Sequence, residues 1–69
     1  MNNKNYYEIL LAGEVNNKRF MRFEISEINV LNGQTQLKGY FDDSGLFSFL
    51  KSIRDLHLKI LKMELINKK

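Results

Sequence analysis

The sequence predicts an α+β fold, a four-stranded antiparallel sheet covered by one main helix, and three observations carry that expectation. Apolar residues at positions 46, 49, 50, 53 and 56 fall on one face of a helix. Asn32-Gly33 stands between two apolar alternations, and this pair tolerates positive φ at both centres of a type I′ hairpin turn. After the helix, Lys59 to Ile66 alternates as a final strand would.

Taken in order, Tyr6 to Val15 places Tyr7, Ile9 and Leu11 on one side and Tyr6, Leu10 and Ala12 on the other, the two-sided apolar pattern of a central strand. The stretch Asn16 to Ser26 supports two readings. Phe20, Phe23 and Glu24 fit a short helix, while Arg19, Met21, Phe23 and Ile25 fit a strand entered through an Asn16-Asn17 turn; the short helix is preferred. Across Asn32-Gly33 a two-residue loop pairs Leu31 with Gln34, Val30 with Thr35, Asn29 with Gln36, Ile28 with Leu37 and Glu27 with Lys38. Asp42, Asp43 and Ser44 precede the helix, where their oxygens can accept from the free N–H groups of its first turn. His57 stands where the helix should end, a position that commonly takes the left-handed conformation.

The resulting string, β-(short α)-β-β-α-β, resembles a ferredoxin-like α/β sandwich with a shortened first helix and a sheet order of 4-1-3-2. The covered face would then hold Tyr7, Ile9, Leu11, Ile28, Val30, Leu37, Phe41, Leu61, Met63 and Leu65. Leu10, Leu31, Tyr40, Ile60 and Ile66 would stand among charges on the open face. Phe47 points away from the main helical stripe and is expected to pack with Phe20 and Phe23.

The 69 residues form a single domain, 1–69, since so short a chain has no material for a second core. Without cysteine it has neither disulfide nor thiolate zinc to supplement that core, which points to oligomerisation as added support. The formal charge is +3, but without Lys4, Lys68 and Lys69 eight basic residues face eight acidic ones, so the body is balanced. The longest apolar run, Ile9 to Ala12, is far short of the ~20 residues a membrane-spanning helix needs, and Met1 to Asn5 is polar; no membrane partner and a cytoplasmic location are expected.

The segment Asp42-Asp43-Ser44-Gly45-Leu46-Phe47-Ser48-Phe49-Leu50-Lys51-Ser52-Ile53-Arg54-Asp55-Leu56-His57-Leu58-Lys59-Ile60-Leu61 resembles the C-terminal half of a family of small bacterial proteins of unknown function. In that family an Asp-Gln-Ala-x-Leu segment opens a helix ending in Ile-Arg-Asp-Leu-Gly-Leu, and a last strand follows. Ile53-Arg54-Asp55-Leu56 is the most specific part of the likeness; Asp43 stands in place of the family Gln and His57 in place of the family Gly. The resemblance implies a fold and a bacterial origin, and it implies no activity.

The chemistry-bearing residues form no catalytic constellation. His57 is the single histidine and has no assignable Ser or Asp partner. Asp42 and Asp43 with Glu64 match no metal-binding loop, and adjacent side chains of an extended segment diverge, so helix capping accounts for the aspartates. No metal and no cofactor are assigned. Lys38-Gly39-Tyr40-Phe41 resembles the opening of the RNA-recognition-motif signature, but Asp42-Asp43 follow where a small residue and further aromatics belong.

These observations favour a non-enzymatic interaction module, a homo-oligomer or a binder of another protein, with Leu10, Leu31, Tyr40, Ile60 and Ile66 as the candidate interface. A single-stranded nucleic-acid binder using Lys38 and Tyr40 is the less favoured alternative. A small-ligand regulatory domain of ACT-like type is the third, by topology alone.

Overall fold

The computed structural model describes residues 4–68. The chain runs through β1 (Asn5–Ala12), a 3-10 turn (Asn17–Phe20), β2 (Glu24–Leu31), β3 (Gln34–Phe41), α1 (Asp43–Asp55) and β4 (Lys59–Lys68). The sheet order is β2-β3-β1-β4, which counted from the opposite edge is 4-1-3-2, and every neighbouring pair is antiparallel. Because β3 and β4 both run against β1, they are parallel to each other, and α1 makes the crossover that parallel strands require.

The hairpin forms at Asn32-Gly33 with φ of 54° and 74°, the two positive values that a type I′ turn needs. Its register pairs Ile28 with Leu37 and Glu27 with Lys38, as turn length and face pattern together require. One residue further, Ser26 is bulged out between Ile25 and Glu27, opposite the backbone of Gly39 and its neighbours.

The stretch 16–26 is neither the short α-helix nor the strand from Arg19 expected from its pattern. Asn16 caps a single 3-10 turn, its side-chain oxygen accepting from Lys18 N at 2.9 Å, and Phe23 N donates to Phe20 O at 3.0 Å. The three-residue spacing of a 3-10 turn places Phe20 and Phe23 on one side. There they meet Phe41 of β3 and Phe49 of α1, with ring centroids 5.0 to 6.4 Å apart. Tertiary packing of these rings, not the helical propensity of the segment, fixes its conformation.

Phe47 does not join this cluster, contrary to the sequence expectation. It lies two residues from Phe49, about 200° around a helix of 3.6 residues per turn, and is 71% exposed. The core is formed by Ile9, Leu11, Leu37, Phe41, Phe49 and Ile53, and Phe20 and Val15 complete it. Each such side chain is worth ~1.5 to 3 kcal/mol of burial.

Strand β4 departs from simple alternation. It pairs with β1 through two register shifts, one between Tyr6 and Tyr7 and one between Leu10 and Leu11. Each inserts one residue, and an insertion carries the following side chains to the other face. Ile60 is therefore opposite Leu11, a fully buried residue of the covered face, and is removed from the open-face set to which strict alternation assigned it. Ile66 falls at the second shift, between Leu65 opposite Tyr7 and Asn67 opposite Tyr6.

Candidate functional site

The open face is not the apolar surface expected from the sequence. Leu10 lies between Gln36 and Lys62, and Glu8 between Lys38 and Glu64. Tyr40 lies between Tyr6 and Glu24, and Leu31 is opposite Gln34 at the end of the hairpin, 72% exposed. The polar groups are paired with each other. Gln36 donates its amide N–H to the Glu8 carboxylate, Lys38 stands 3.8 Å from Glu27, and the Tyr6 and Ser26 hydroxyls are 3.0 Å apart. Tyr6 and Tyr40 stack at 4.6 Å between centroids, so each ring already covers part of the other. Lys4 donates to Glu24 at 2.8 Å; that bond, and then the nearby charges of Glu24 and Asp42, hold its ammonium above its ordinary pKa.

The residues flanking α1 serve the helix. Asp42 is its N-cap, accepting from Gly45 N at 2.7 Å, and the Ser44 hydroxyl lies 3.4 Å from the same carboxylate oxygen. Asp43 is the first helical residue, where its charge suits the positive helix end. At the other end His57 takes φ 60°; its N–H reaches Arg54 O at 3.0 Å and the N–H of Leu58 reaches Ile53 O at 3.1 Å. This is the paired closure of a Schellman motif, completed by Ile53 and Leu58, which belong to the same apolar cluster. Among the described residues no group of three His, Cys, Asp or Glu side chains is placed to hold a metal ion.

The exposed apolar surface gathers elsewhere, along β4. Every residue from Lys59 to Ile66 is exposed, and Ile60, Leu61, Met63, Leu65 and Ile66 are all more than a third accessible. Met63 pairs with Ile9 and Leu65 with Tyr7, so both stand on the covered face although α1 does not reach over them. The adjoining flank of α1 presents Phe47 and Leu50, which line a shallow groove with Lys51 and Arg54. Sequence reasoning placed Leu61, Met63 and Leu65 in the core. The missed signal was width: four strands spaced ~4.8 Å apart are broader than one helix of ~10 Å diameter can cover. The Phe20–Phe23 segment fills the β2 side, and the β4 side is left bare.

Among the described residues no helix is long and apolar enough to cross a membrane. No curated protein and no solved structure matches the chain. The family described as Domain of unknown function (DUF8691) matches residues 6–64, from the start of β1 to the middle of β4 and through the whole of α1, and the chain belongs to that family.

Proposed function

We propose that this domain is a non-enzymatic interaction module that self-associates through the apolar margin of β4 and the neighbouring flank of α1. The observation that carries the reading is the set of five exposed apolar residues on an edge strand, of which Ile60, Met63 and Leu65 lie opposite Leu11, Ile9 and Tyr7 of a covered face that one helix leaves incomplete. Exposed edges and contiguous apolar patches are both surfaces that another chain covers. We also read the topology as ferredoxin-like with the first helix reduced to the 3-10 turn. The strand order and the α1 crossover support this reading, and an ACT-like regulatory role has no support beyond the same topology.

Sedimentation across a concentration series tests the interaction reading, with Met63→Lys and Leu10→Lys compared to the wild type. Met63→Lys should abolish association, because it strands a charge at the centre of the margin. Leu10→Lys should leave association unchanged, since Leu10 lies on the open face of the central strand β1, between Gln36 and Lys62 and away from the apolar margin. A wild type that stays monomeric to high micromolar concentration overturns the reading; loss of association in Leu10→Lys alone returns the interface to the open face.

One observation favours a second reading. The stacked Tyr6–Tyr40 pair with Lys38 on the same face offers rings and a cation to a single-stranded nucleic acid. Against it, Glu8, Glu24, Glu27 and Glu64 share that face. Binding that falls steeply with salt and is lost in Tyr40→Ala would establish it.

A further inference from the structure

From the charge pattern of β4 we infer that the partner is a second copy of this chain, bound by antiparallel pairing of β4 with β4 about a two-fold axis through Met63. The inference rests on the self-association reading above and adds its register. Edge pairing about a two-fold joins residue i to residue j with a constant sum, and paired side chains share a face. Lys62 and Glu64 stand on the open face, opposite Leu10 and Glu8, and Met63 stands on the other. Only pairings with an even sum keep the faces of both copies aligned.

Charge then selects among the even sums. Centring on Lys62 sets Lys62 against itself, and centring on Glu64 sets Glu64 against itself; like charges directly opposite oppose pairing. Centring on Met63 sets Lys62 opposite Glu64 of the second copy, twice by symmetry. It also brings Met63 opposite Met63 of the second copy, with the exposed Leu61 and Leu65 next to the axis on either side. The segment from Lys62 to Leu65 pairs with β1 without a register shift, so it supplies an unbroken ladder at the proposed centre. Within one chain Glu64 faces Glu8 across the strands and has Lys62 beside it at 3.4 Å. Pairing about Met63 gives it a second cation, Lys62 of the other copy.

The test is a charge-swap cycle read by sedimentation equilibrium, with circular dichroism to check folding. Glu64→Lys exchanges the Glu8–Glu64 repulsion for an attraction and the exposed Lys62–Glu64 pair for a repulsion, so its fold should stay close to that of the wild type. In the dimer it opposes Lys62, and dissociation should rise by about tenfold or more, from two reversed cross-strand pairs. Lys62→Glu with Glu64→Lys restores opposite charges at the same register and should return the dissociation constant to within a few-fold of wild type. If the wild type associates but Glu64→Lys and the double variant associate equally well, the register is wrong while self-association stands. A monomeric wild type overturns both readings. Open-ended growth with concentration, as head-to-tail pairing of β4 with β2 would give, overturns the two-fold.

Discussion

Thr35 is fully buried on β3, and its hydroxyl donates to Gly13 O at 2.7 Å while accepting from Val15 N at 3.1 Å. One side chain thus satisfies both backbone groups of the loop leaving β1, in a place where water cannot. Thr35→Val keeps the shape and orphans both partners, so urea unfolding should show a loss of about 1 to 3 kcal/mol; a change below 0.5 kcal/mol on that roughly threefold scale would show the loop to be held otherwise. Gly39 faces a different constraint. A Cβ there would lie 2.8 Å from Glu24 O and 2.9 Å from Ile25 Cδ1, and the first of these is backbone beside a bulge. Gly39→Ala should cost about 1 to 3 kcal/mol by the same measurement. At His57 the sign reverses, because φ is 60° and glycine enters that region without a Cβ penalty. His57→Gly should be neutral or stabilising by up to about 1 kcal/mol; marked destabilisation would mean that the imidazole makes a contact the closure alone does not need.

At the scale of elements, the two flanks of α1 separate into one that packs into the core and one that is exposed. Phe49 is fully buried among Phe20, Phe23 and Phe41, so Phe49→Ala should cost about 3 to 5 kcal/mol. Phe47→Ala should fall within about 0.5 kcal/mol of wild type in the isolated chain. Equal losses at both positions would contradict the packing. The helix and the hairpin were legible in the sequence because their determinants are local: a 3.6-residue period with capping side chains, and a two-residue turn that dictates register. The conformation of 16–26 was not, because Phe20 and Phe23 are fixed by Phe41 and Phe49, and Val15 just before the segment by Thr35, all of which lie far along the chain. The bulges of β4 were illegible for a related reason: alternation in one strand cannot show where its partner skips a residue, and so Ile60 was assigned to the wrong face.

For the whole molecule, the margin of β4 is where the geometry of a small sheet and the need for more burial meet. A domain of this size supplies only ~3 to 5 kcal/mol from its core, and here part of the covered face has no cover. If the chain self-associates as proposed, folding and association are linked, since a partner that binds only the folded chain stabilises it in proportion to the logarithm of concentration. For a folded dimer that unfolds to two chains, a tenfold rise in concentration adds about 1.4 kcal/mol per dimer, or about 0.7 kcal/mol per chain. A domain of 60 to 100 residues gains roughly 4 to 8 °C per kcal/mol, so the thermal midpoint should rise by about 3 to 6 °C for each tenfold in concentration above the dissociation constant. Met63→Lys should remove that dependence while keeping the wild-type midpoint measured in the dilute limit, because Met63 is already 43% exposed and its replacement faces water in the monomer. Differential scanning calorimetry over two decades of concentration distinguishes the cases. A wild-type midpoint independent of concentration removes association from the stability of this fold. A Met63→Lys midpoint lowered equally at every concentration would place Met63 in the core of the monomer, not on its open margin.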